Sequence, residues 1–188
     1  MSERTLTLFC ATGLSNRLYV LTSGMAIAAA CSRAFRMLWP RTPACGAAFQ
    51  ELFANDWPVE TADMRVVAKS PYAWSLHQPD PPNLLAAADD HLVLGSHRTL
   101  LRPDRFPDPA ALTHACLAEF RRLQPIPAIA EMVAQFRTQH FRPAMIGVHL
   151  RRGDFIKVRP DLMENTLQAI GAVETALAHM PEAGIFLA

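Results

Sequence analysis

The chain has 188 residues, of which 51% are hydrophobic and 19% charged, with 18 Lys+Arg against 17 Asp+Glu for a formal net charge of +1. That composition supplies a packed core and excludes global disorder, collagen, coiled coil, histone-like and mucin-like classes. The near-neutral balance also excludes a protein that coats nucleic acid by bulk charge. Lysine occurs only as Lys69 and Lys157, so nearly every cation is an arginine, whose planar fork suits carboxylates and phosphates.

Thr5 to Cys10 alternates and is rich in β-formers, which predicts a first strand. Ala11 to Ser15 reads as a turn, with Ser15 as N-cap of a helix from Asn16 to about Ser32. That helix is apolar nearly all round, as expected of an element packed on a sheet. Ala34 to Trp39 is a second strand, closed by Pro40, and the three elements together make a βαβ unit of a parallel sheet. Further on, Ala47 to Phe53 suggests a short helix, Arg65 to Ala68 a short strand, Pro71 to Pro82 an irregular loop and His91 to Leu94 a strand. Helices follow from about Pro109 to Leu123 and from about Ala128 to His140, separated by Pro125 and Pro127.

A second unit begins near residue 141. Ala144 to Leu150 reads as a strand, and Arg151-Arg-Gly-Asp154 leaves it. Asp161 and Glu164 have capping-box spacing ahead of a helix whose apolar stripe is Met163, Leu167, Ile170, Val173 and Leu177. Ile185 to Ala188 opens another strand. The expectation is an α/β lobe over 1–140 and the start of a second, incomplete lobe over 141–188, the front part of a longer protein.

The four cysteines (Cys10, Cys31, Cys45, Cys116) form no C-x-x-C pair, and the seven histidines show no metal spacing. They read as reduced, mostly buried thiols, and no metal site is expected. The N-terminus lacks signal-peptide grammar. The longest apolar run, Leu18 to Cys31, falls short of the roughly 20 residues that cross a bilayer, so a cytoplasmic protein without a membrane span is expected.

The strongest chemical feature is Gly147-Val-His-Leu-Arg-Arg-Gly-Asp154. Period two puts His149 and Arg151 on one strand face and Arg152 on the other. Ligands of open α/β sheets lie beyond the carboxyl ends of strands. There Arg151 can donate a bidentate pair to a phosphate, with His149 behind it and Gly153 allowing close approach. Two polar groups on one face of an apolar strand are costly to bury without a partner, which favours a ligand over a core histidine. Taken alone, Arg152 and Asp154 read better as a loop ion pair. The second feature is Gly13-Leu-Ser-Asn-Arg17, at a turn into a helix N-terminus that suits anionic or hydroxyl-rich ligands. A simple capped turn would account for it equally. Tyr72, Trp74 and His77 could stack on a sugar, and Asp89-Asp90 reads as a solvated turn.

His149-Leu-Arg-Arg-Gly-Asp154 after an Ile-Gly-Val strand resembles the His-x-Arg-Arg-x-Asp motif of the alpha-1,2-, alpha-1,6- and protein O-fucosyltransferases. Gly13-Leu-Ser-Asn-Arg17 is similar to the Gly-x-x-Asn-Arg/Gln segment of that superfamily, with Ser15 where a glycine is more usual. The resemblance implies a GT-B-like pair of Rossmann-like lobes and inverting transfer of fucose from GDP-fucose to a glycan or protein acceptor, with no cofactor or metal. It assigns Arg151 to the departing diphosphate, with His149, Arg152 and Asp154 binding the donor. Gly13, Asn16 and Arg17 would lie at the sugar end. The superfamily's later motifs fall beyond Ala188, so the chain alone is expected to be inactive. The alternative is a non-catalytic phosphate- or carbohydrate-binding fragment.

Overall fold

The computed structural model describes residues 3–60, 87–95, 100, 108–150 and 162–188, apart from the side chains of 162–165. The expected strand 65–68, the loop 71–82 with Tyr72, Trp74 and His77, and the segment 151–161 with Arg151, Arg152, Gly153, Asp154 and Asp161 lie outside them. The chain divides into two compact units, Met1–Ile129 and Ala130–Ala188.

The first unit is built on β1 (Thr5–Phe9), α1 (Leu14–Ala30) and β2 (Ala34–Leu38), followed by β3 (Val59–Glu60) and β4 (His91–Gly95). The four strands form one sheet in the order β3-β2-β1-β4, and every pairing is parallel. The βαβ expectation holds, because the alternation of β1 sends Leu6 and Leu8 to one face, where α1 covers them completely. Val20, Leu21 and Ile27 of α1 close the same core with Met37, Leu92 and Leu94. Each such side chain removed from water contributes about 1.5–3 kcal/mol. Gly24 of α1 faces Leu8 so closely that a methyl group there would overlap the leucine side chain, its Cγ lying only 3.0 Å away. Helix α2 (Pro109–Arg121) begins with proline behind Asp108, whose carboxylate accepts from Ala111 N at 2.9 Å. It packs on α1, where Thr22 Oγ1 meets Cys116 Sγ at 3.3 Å.

Two expectations need correction here, and one strand is new. Helix α1 starts at Leu14, with Gly13 in extended conformation as N-cap and no side-chain cap, so Ser15 lies inside the helix and is exposed. The helix expected over 47–53 is a single 3-10 turn, Phe49–Glu51. Its continuation is captured by the segment after α2: Ala54 N donates to Gln124 O and Ile126 N to Leu52 O. Strand β3 was not expected, because two residues after Pro58 carry no readable period.

The second unit contains most of α3 (Pro127–His140), then β5 (Met145–Val148), α4 (Leu162–His179) and β6 (Gly184–Leu187). Strands β5 and β6 pair in parallel, Met145 opposite Gly184 and Val148 opposite Leu187. Phe186 meets Phe136 and Phe141 at ring separations of 5.9 and 5.7 Å. The apolar stripe along α4 is only partly covered: Leu167 is 72% and Ile170 49% exposed, while Val173 and Leu177 are half-buried. Two paired strands do not present enough surface to cover four helical turns. All four cysteines are free thiols.

Candidate functional site

The carboxyl ends of β1, β2 and β3 open onto a cleft of about 440 Å³. Its apolar lining includes Phe9, Leu38, Trp39, Phe49 and Val59, and its polar lining Arg41, Gln50 and Glu60. Both charges have partners. Arg41 donates to Gly46 O at 2.7 Å and to Glu51 Oε1 at 2.5 Å, and Glu60 Oε1 accepts from Arg36 at 2.6 Å. Glu51 Oε2 also accepts from Ala48 N at 2.8 Å, and the Arg41 bond chiefly holds this carboxyl below its ordinary range. Under the cleft, Trp39 and Phe49 meet edge-on at 5.4 Å, and Trp39 donates through Nε1 to Ala47 O at 3.1 Å.

Beside the cleft runs the loop from β1 to α1. Asn16, at the first turn of α1, is half-buried, and Leu14 and Ser15 are exposed. The first helical N–H groups have no intrahelical partner by geometry, which leaves donors for an anion or hydroxyl. A Cβ on Gly13 would meet only Ala44 O, at 3.9 Å, so no described neighbour demands glycine there.

Arg17 behaves differently from its sequence reading. It is fully buried, and its guanidinium is spent on the protein. Nε donates to Thr12 O at 2.5 Å, Nη1 to Pro40 O at 2.8 Å and Nη2 to Thr42 Oγ1 at 2.9 Å. Longer contacts of 3.4 Å reach Ala11 O and Cys45 O. The guanidinium carbon lies 4.9 Å from the centre of the Trp39 ring. Burial pulls the guanidinium below its ordinary value, opposed by the nearby Cys45 and Cys10 thiols. Burial likewise pushes the Cys10 thiol up to about 12.

In the second unit, His149 follows β5 directly and is exposed, so it is not a core histidine. The ladder continues past it: Ala188 N donates to Val148 O and Leu150 N to Ala188 O, both at 2.9 Å. His149 therefore stands at the carboxyl end of a parallel strand, where ligands of such sheets gather. Arg151, Arg152 and Asp154 lie beyond the described residues. Among the described residues, no three His, Cys, Asp or Glu side chains gather as a metal site, and no helix is long and apolar enough to cross a membrane.

Sequence reading missed the cleft residues Trp39, Arg41 and Glu60. Trp39-Pro40 after a strand was visible, yet only the 3-10 turn and the two-residue β3 turn it into a cavity wall.

No family model and no curated protein matches the chain. Solved structures do. The fucosyltransferase NodZ from Bradyrhizobium superposes with a TM-score of 0.62 at 18% identity, covering 100% of this chain and 72% of that one. The fold is that of fucosyltransferases. A structure of NodZ, an alpha-1,6-fucosyltransferase, soaked with GDP-fucose gives a TM-score of 0.59 at 18% identity over 99% of this chain and 70% of that one. Arabidopsis thaliana FUT1 in complex with GDP gives 0.54 at 13% identity, covering 81% of this chain and 44% of that one.

Proposed function

We propose that the protein is a glycosyltransferase of GT-B-like, Rossmann-like architecture that moves fucose from GDP-fucose to a glycan or protein acceptor with inversion. The division into lobes at 1–140 and 141–188 and a cytoplasmic location belong to the same reading. What carries it is one coincidence. The His149-Leu-Arg-Arg-Gly-Asp154 motif follows a parallel strand in a fold shared with enzymes crystallised with GDP-fucose and GDP.

In this reading the bond between fucose C1 and the diphosphate oxygen breaks, and its electron pair stays on the β-phosphate. The acceptor hydroxyl oxygen bonds C1 from the opposite face and loses its proton. Arg151 donates to the oxygens on which charge accumulates, so its interaction is stronger in the transition state than before it. His149 and Asp154 hold the nucleotide diphosphate, and Arg152, on the other strand face, braces the loop that carries Asp154. Gly13 and Asn16, at the open first turn of α1, meet the sugar. No metal is needed where an arginine takes up the leaving charge.

The test is turnover of GDP-fucose by the protein produced from its whole gene, with a panel of glycan and peptide acceptors. Arg151→Ala is expected to lower turnover about 10²-fold or more, roughly 3 kcal/mol, with Arg152→Ala acting mainly on stability. Activity is expected to survive chelator. Equal losses of turnover in two well-folded variants, or collapse with chelator, would contradict the assignment.

A further inference from the structure

We propose that Arg17 is a positioning residue, whose single buried guanidinium ties the β1–α1 loop carrying Gly13 and Asn16 to the turn after Trp39 and Pro40. The inference rests on the proposed glycosyl transfer for its consequence but on geometry for its substance. One wall of the tie is the Ala11 and Thr12 carbonyls; the other is Pro40 O, Thr42 Oγ1 and Cys45 O. The second wall is itself closed, because Thr42 and Cys45 exchange both backbone bonds at 3.0 Å. Along these bonds Arg17 reaches 23 to 28 residues down the chain to the second wall.

Only a planar fork with donors in several fixed directions reaches acceptors on both sides at once. A lysine ammonium places its donors at one point, and glutamine brings two donors and no charge. Among the described residues no carboxylate pairs with this guanidinium; carbonyl dipoles and the Trp39 ring face it instead. A desolvated charge held by main-chain carbonyls and the Thr42 hydroxyl resists movement, since any shift leaves it unsolvated. The loop that presents Asn16 and the first-turn amides is thereby fixed relative to the cleft edge formed by Trp39, Pro40 and Arg41. Reaching a transition state depends on such sub-ångström placement, and an error of about 1 Å costs on the order of 10²-fold in rate.

Three variants of the protein produced from its whole gene test this: Arg17→Lys, Thr42→Val and, as control, Arg33→Lys, a buried arginine at the opposite end of the sheet. Hydrogen exchange is followed at the first two turns of α1 and at the Thr42 and Cys45 amides, alongside GDP-fucose kinetics well below the thermal midpoint. Arg17→Lys is expected to speed exchange about tenfold or more at both places together and to lower kcat about 100-fold, with the donor KM changed less than about threefold. Arg33→Lys is expected to lower the midpoint and leave kcat unchanged. Exchange that rises in one wall only, or a folded Arg17→Lys protein with full kcat, overturns the proposal. If Arg17→Lys does not fold, Thr42→Val decides by the same paired change at smaller size, and its absence overturns the proposal. If the unaltered protein transfers no fucose, the functional reading fails, and the exchange result alone decides whether Arg17 couples the two walls.

Discussion

The two ends of the four-stranded sheet each bury an arginine, and the two arginines do different work. At the amino end Arg33 donates to the carbonyls of Ala87 at 2.9 Å, Asp90 at 3.2 Å and Thr5 at 3.4 Å, and its Nε is buried with no partner among the described residues. Arg4 shares the Ala87 carbonyl at 2.7 Å. These bonds sew the starts of β1 and β4 together. At the carboxyl end Arg17 has shorter bonds, every nitrogen engaged, an aromatic ring beneath it and an open cleft beside it. Equal burial and equal chemistry therefore do not mean equal role. What distinguishes a site-building arginine is that the segments it joins go on to line a cleft.

The sharpest way to break this comparison is to remove each cation in turn. Arg17→Met strands several buried carbonyls and is expected to cost about 3–5 kcal/mol in denaturant unfolding, because loss of one member of a buried polar cluster leaves the others unsatisfied. Arg33→Met removes longer bonds and is expected to cost about 1–3 kcal/mol. Equal costs would mean that the carboxyl-end cluster has no special tightness.

Between the two ends, Gly24→Ala tests how closely α1 lies on β1. Alanine has the better helix propensity by about 1 kcal/mol. The added methyl nevertheless overlaps Leu8 in a sealed core, so overpacking of about 1–3 kcal/mol is expected to win and lower the midpoint. A stabilised Gly24→Ala protein would show that the helix can lift without loss.

At the amino end Ser32 takes φ 52 in the turn from α1 to β2, the left-handed region where a side chain is strained. Ser32→Gly is expected to stabilise the unit by up to about 1 kcal/mol and to leave exchange at Thr42 and Cys45 unchanged.

The smallest effect is at the rim of the cleft. The Glu51 carboxyl is depressed by Arg41 and by Ala48 N, so its contribution is present above the ordinary carboxylate value of 4.5 and is lost as pH falls through the depressed one. Exchange at Ala48 is expected to quicken on that acid side and to lose this pH dependence in Glu51→Gln. A pH dependence that survives the substitution would place its cause elsewhere.

How much of this was legible in the sequence depends on which signal each element carried. β1, α1, β2, β4 and the three later helices announce themselves by period or capping spacing, and Pro109 marks a helix start. The start of α1 did not, because Ser15 looks like a cap while Gly13 can serve with backbone alone. The fate of Arg17 was readable in hindsight. Counting three, four and seven residues on gives Val20, Leu21 and Gly24, all buried, so Arg17 lies on the buried stripe of α1. Its partners were not readable, since they are carbonyls brought close by the parallel pairing of β1 with β2. The cleft was hidden for the same reason: Glu60 reaches it through a two-residue strand with no pattern of its own. His149, read as part of a strand reaching Leu150, instead follows the shorter strand Met145–Val148, because alternation marks a strand but not where its ladder ends.

In the proposed function a nucleotide sugar binds at the carboxyl ends of these strands and the amino end is structural. Hydrogen exchange of the protein produced from its whole gene, mapped with and without GDP-fucose, tests that claim most directly. It predicts slower exchange over 10–18, at Thr42 and Cys45 and over 145–150, with 4–5, 33–34 and 90–91 unchanged. Protection confined to the amino end, or no change anywhere at millimolar GDP-fucose, would contradict it.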